Sequence, residues 1–146
     1  MFRRLIATSS TWVTVPLRLA LAAVFLGHGS QKVLGSFGGP GLSALISHPA
    51  PFPFMRPAWL WWSAAAFSEL IGGVLLLFGL LTRVAAFLLA CVMIVGILAV
   101  HWPNFFAPAG MEYPMVLLAA CLALLITGGG QLSVDLGLAG SGARRR

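Results

Sequence analysis

Four long apolar stretches separated by short polar, glycine-rich or proline-rich breaks set the pattern of this chain. They run over about residues 13–33, 59–81, 84–101 and 112–128. Each approaches the roughly 17–25 residues that a helix needs to cross the hydrocarbon core of a bilayer. The pattern therefore predicts an all-α protein, an integral membrane four-helix bundle running up-down-up-down, with residues 1–146 as a single membrane domain. The third and fourth stretches are the shortest, so their ends are the least sharply marked.

The breaks differ in kind. Leu81-Thr82-Arg83 is a tight turn and forces the second and third spans to run antiparallel. The outer loop, residues 35–57, contains Gly38-Gly39-Pro40-Gly41 and Pro49-Ala50-Pro51-Phe52-Pro53, and proline at that density blocks a continuous helix. Residues 42–47 leave room for one or two short interfacial turns. A loop of this length serves as a lid or docking surface, or is simply an irregular connection. At the start, Arg3 and Arg4 precede an apolar run as in a signal peptide. That run is too long and lacks a small-residue cleavage site, so it reads as a retained first span.

Composition agrees with the pattern. The chain is 60% hydrophobic and 8% charged, against roughly 25% charged in soluble domains. A water-soluble protein this short could not hide so much apolar surface. The net charge of +6 gathers at the termini, in Arg3, Arg4, Arg144, Arg145 and Arg146. Nucleic-acid binding would need a basic surface interleaved with polar and aromatic residues; terminal arginines instead suit anchors beside anionic lipid. With Arg83 they mark one side, opposite Lys32 and Arg56. The positive-inside rule then places both termini in the cytoplasm of a bacterial inner membrane. Trp59, Trp61, Trp62, Trp102 and Tyr113 fall at the outer interface and Trp12 at the inner one.

Glu69 stands out as a lone carboxylate in the second span, where an ionised group costs about 3 kcal/mol on insertion scales. At 100° per residue, Glu69 shares its face with Ala65, Ala66, Gly72 and Gly73, small residues that admit a close helix neighbour. On the first span, Arg18 and Lys32 fall on one side with Phe25 and Gly29. His28 sits about 40° beyond Lys32, which makes a polar stripe of Arg18, His28 and Lys32 facing the interior. Glu69 lies about 15 Å below the outer end of its helix, between Arg18 and the His28/Lys32 pair. Either could be its partner. Glu112 and His101, at the outer ends of their spans, could complete an outward-opening polar pocket.

Blander roles exist for each residue. Arg18 and Lys32 could snorkel to opposite interfaces, and Glu69 could be an ion-pair partner that only specifies packing. His101 and Glu112 fit wet interfacial positions, and Arg83, Arg56 and Asp135 fit topology and surface positions. His28 and His101 differ in depth by about 8–12 Å, which argues against a shared haem, and the histidine spacing makes a weak metal case. Cys91 and Cys121 read as small buried hydrophobes.

The ordered set Arg18-x9-His28-Gly29-x2-Lys32, Ser68-Glu69-x2-Gly72-Gly73-x5-Gly79-Leu80-x-Thr82-Arg83, Glu112, and Gly128-Gly129-Gly130 with Ser133 and Asp135 resembles the DoxX family over residues 14–136. The Pro-rich segment 49–57 departs from that family's pattern. The resemblance implies a small four-helix inner-membrane protein related to the membrane subunit of thiosulfate:quinone oxidoreductase. It implies a quinone as cofactor and a soluble or membrane redox partner protein. On that reading Arg18, His28, Lys32, Glu69 and Glu112 would bind the quinone, with Glu69 and His28 as the catalytic pair moving protons. A non-catalytic scaffold for a soluble redox enzyme and a small-solute carrier remain as alternatives.

Overall fold

The computed structural model describes residues 5–141, so the terminal arginines Arg3, Arg4 and Arg144–Arg146 lie outside the described residues. Six α-helices and no strand occur among the described residues. Helix α1 spans Thr14–Leu34, with Pro16 in its first turn, where a missing N–H breaks no helical bond. It ends at Gly35, whose φ of 72° turns the chain left-handed while its N–H bonds to Ser30 O. A 3-10 turn at Ser36–Gly38 and the short helix α2, Gly41–Leu45, follow inside the outer loop.

Helix α3, Ala58–Phe78, starts after the extended Pro57. The second apolar stretch of the sequence runs to residue 81, but the helix stops at Phe78 because Gly79 takes φ 64° and closes it. Helix α4, Thr82–Gly96, continues into a π turn at Ile97–His101. Helices α5, Glu112–Thr127, and α6, Val134–Ser141, complete the order. Two helical stretches, Ala58–Phe78 and Thr82–His101, are long and apolar enough to cross a membrane, and Glu112–Thr127 is apolar but shorter.

Glycine contacts decide how closely the helices meet. Helices α1 and α3 make the most extensive pairing in the molecule. A Cβ on Gly29 would lie 2.5 Å from Leu70 N, and one on Gly73 would lie 2.9 Å from Leu26 N, so both positions allow backbone-level approach. Gly72 receives Leu89 of α4. Phe25, Leu76, Leu89, Cys121 and Leu124 fill the centre where α1, α3, α4 and α5 converge. Outside this core, Phe67, Ile71, Val74, Phe87, Ile94, Val116 and Ile126 are exposed. Water does not tolerate so continuous an apolar belt. The protein is a membrane protein.

One end of the helices is tied by hydrogen bonds, and there the structure corrects the surface reading of Asp135. Its carboxylate is buried, 1% exposed. It accepts the Leu81 and Thr82 backbone N–H groups, each at 2.8 Å, and so caps the start of α4. The correction has a simple cause: residues 128–136 fold back beneath the α3–α4 turn, where Asp135 N also donates to Gly79 O at 3.0 Å. Arg83, likewise read as a surface residue, donates to Ala7 O and Ile126 O, both at 2.8 Å. Cys91 is exposed rather than buried, whereas Cys121 is fully enclosed.

Candidate functional site

Lys32 and Glu69 meet near the middle of the molecule. The Lys32 ammonium donates to both Glu69 oxygens, at 2.5 and 2.7 Å. The carboxylate side chain is 2% exposed and the lysine 31%. Lys32 sits in the last turn of α1, and the Gly29–Leu70 contact brings that turn against α3. Of the two partners open to Glu69 on the sequence, the fold selects Lys32.

The pair forms one wall of a cavity of about 500 Å³. That volume lies within the range of small-molecule sites, which are largely apolar with a few placed polar groups. The floor and sides come from α3 and α4, with Ser68 beside Glu69 and Val92, Val95 and Gly96 across from it. Leu45, Pro51 and Met55 of the outer loop line it as well. Their segment is held by Trp62 Nε1 donating to Pro49 O at 3.0 Å and by His48 set edgewise on the Trp62 ring. The Pro-rich loop is thus a wall of the cavity, not a bystander. Trp61, Leu88 and Cys91 also line it and are themselves exposed, so its mouth opens onto the apolar outer belt.

Arg18, His28 and Glu112, also singled out on the sequence, do not line this cavity. Arg18, 2% exposed, donates to Gly129 O at 2.9 Å and Leu132 O at 3.0 Å, beside Asp135 at the bonded end. Fourteen residues of helix separate it from Lys32, about 21 Å along the axis. His28 is exposed, tilted against Tyr113 at 6.4 Å between ring centres, and borders a shallow recess with Gly27 and Gln31. Its extra 40° of rotation carries it past the edge of the buried stripe. Glu112 accepts the Ala107 N–H at 2.8 Å and pins the loop before α5. Among the described residues, no three His, Cys, Asp or Glu side chains gather as a metal set.

His101, open on the sequence to an outward-opening pocket or to a wet interfacial position, is the exception. It lines the cavity, and its Nδ1 lies 2.9 Å from Ala109 O. A carbonyl only accepts, so Nδ1 carries the hydrogen in this bond. The signal that places His101 here is the π turn, which no sequence pattern announces.

Comparison with known proteins adds the following. A family model described as DoxX matches residues 13–102. A Haemophilus influenzae protein described as "Uncharacterized protein" is 34% identical over 122 residues, covering 82% of this chain and 78% of its own. A Bacillus subtilis protein named "Putative oxidoreductase CatD" is 32% identical over 122 residues, covering 84% of each chain. No solved structure matches significantly.

Proposed function

The chain belongs to the DoxX family, and on that premise we propose that it is the membrane subunit of an oxidoreductase complex whose cavity beside Glu69 receives the headgroup of a membrane quinone. The observation that carries this reading is the Lys32–Glu69 pair standing as the polar wall of an apolar cavity. The pair is not closed in by packed side chains but borders open space. The mouth on the outer belt suits a ligand that arrives through the lipid.

The residues suit the headgroup chemistry. An ammonium has three donors; Lys32 uses two hydrogen bonds on Glu69, leaving one for a carbonyl oxygen of the ring. Glu69 is placed to pass a proton through the same contact. A quinone takes up two electrons and two protons when reduced, and the electrons would come from a redox centre on a partner protein. The relative named as an oxidoreductase fits this class of role.

In the proposed arrangement α1, α3, α4 and α5 cross a bacterial inner membrane up-down-up-down, with both chain termini cytoplasmic. The bonded end carrying Arg18 and Arg83 faces the cytoplasm. The end carrying Trp59, Trp61, Trp102 and Tyr113, all exposed, sits at the opposite interface.

Native purification followed by mass spectrometry tests the reading. Quinone should co-purify with the wild-type chain and fall at least tenfold in a Glu69→Gln variant of equal folded yield. A wild-type chain free of quinone, together with unchanged activity of the complex in Glu69→Gln, would overturn it in favour of a non-catalytic anchor.

A further inference from the structure

We propose that His101 is the second polar contact of this cavity, so that the site grips a ring bearing an oxygen at each end: Lys32–Glu69 holds one oxygen and His101 the other. The inference rests on the quinone reading and adds a specificity-determining residue to it.

Three observations carry it. The first is the helix geometry. Gly96 and His101 both line the cavity although five residues separate them. In an α-helix, residues five apart point about 140° away from each other. The π turn at Ile97–His101, closed by Trp102 N donating to Ile97 O at 2.9 Å, brings such residues nearly into line. Were residues 97–101 α-helical, His101 would point about 140° away from Gly96.

The second observation is the tautomer. Nδ1–H is committed to Ala109 O, and Nε2 has no protein partner among the described residues. A neutral imidazole held this way presents Nε2 as an acceptor for a ring hydroxyl, and a protonated one presents it as a donor for a ring carbonyl. Either form of the ligand can therefore be met at this nitrogen.

The third is spacing. Gly72 faces Leu89, so antiparallel pairing sets Glu69 level with Val92 and His101 about nine residues further out, roughly 13 Å along the axis. The two polar contacts therefore stand at different depths of one cavity, as an oxygen at each end of a ring requires.

The test uses the full chain in lipid nanodiscs and two probes: a decyl-substituted benzoquinone, and a decyl-substituted cyclohexenone with a single ring oxygen. His101→Asn preserves a donor to Ala109 O but removes the Nε2 arm. It should weaken benzoquinone binding about tenfold, the scale of one lost hydrogen bond, while the cyclohexenone binds both proteins equally. His101→Gln, whose amide reaches the Nε2 position, should recover much of the loss. Equal weakening of both probes would show that His101 only supports the 102–111 loop, and unchanged benzoquinone binding would show that it makes no contact; either overturns the proposal. A wild-type chain that binds neither probe overturns the quinone reading itself.

Discussion

At the scale of single residues, the two buried carboxylates, Glu69 near the middle of the molecule and Asp135 at its bonded end, act in different ways. Glu69 faces an ammonium and a cavity, whereas Asp135 faces two backbone N–H groups and no open space. Truncating one member of a buried pair strands the other, a loss of about 3–5 kcal/mol, while replacing both with apolar groups is often close to neutral. Because Lys32 is 31% exposed and can turn away from the helix contact, Glu69→Met alone should destabilise the protein by less than that, about 1–2 kcal/mol, in reversible unfolding from mixed micelles. The double variant Lys32→Met/Glu69→Met should regain most of that stability yet, on the proposed reading, retain no quinone, which separates the structural role of the pair from the ligand role proposed for it. Asp135→Ala leaves the Leu81 and Thr82 donors unpaired and should lower stability by about 2 kcal/mol, with quinone retention per folded molecule unchanged. Glu69 was legible in the sequence because a lone acid in an apolar run is conspicuous. Asp135 was not, because it follows a glycine-rich break and its burial depends on where residues 128–136 fold.

At the scale of elements, the site depends on how closely α1 and α3 approach. Gly29 leaves no space for a Cβ against Leu70, whereas Gly27 on the same helix has nothing within 4 Å. Gly29→Ala should push α1 outward, separate Lys32 from Glu69 and reduce both stability and quinone retention. Gly27→Ala should change neither and serves as the matched control; thermal unfolding in detergent with quinone quantitation distinguishes the two. The outer loop shows the limit of composition as a guide. Its prolines announced an irregular segment, and that is what residues 46–57 are. What composition did not announce is that Leu45, Pro51 and Met55 line the cavity, since that follows from the Trp62–Pro49 contact, which folds the loop back on the start of α3. Trp62→Phe keeps the ring and loses the donor. Hydrogen exchange across residues 48–57 should then rise relative to wild type, with α3 unaffected.

At the scale of the whole molecule, the protein has a hydrogen-bonded end, an apolar belt and an aromatic-rich end. The bonded end gathers Arg18, Arg83, Asp135 and the 128–130 glycines. The belt carries large exposed hydrophobics. The polar site lies between the ends, nearer the aromatic one, and opens sideways. The proposed orientation puts the outer loop outside the cytoplasm. In intact cells, a membrane-impermeant maleimide should label Ser47→Cys in the exposed part of that loop and spare Gly137→Cys beyond the bonded end, both in a background lacking Cys91 and Cys121. Labelling in the reverse order would invert the topology.

The sequence by itself determined the class of this protein. Its hydrophobic content leaves lipid as the solvent for most of its surface, and helix periodicity was enough to put Glu69 on a small-residue face and Lys32 on an inward stripe. These are local properties, decided by burial cost and by 100° per residue. The tertiary structure alone decided which of the polar groups meet. Arg18 and His28 shared a helix with Lys32 and looked equivalent to it, yet 21 Å of axial distance for one and 40° of rotation for the other remove them from Glu69. The π turn adds a rotation that no residue pattern encodes and brings His101 to the cavity. Pairing across helices depends on where their backbones touch, and here that was decided by glycines whose absent side chains matter only once another helix lies against them.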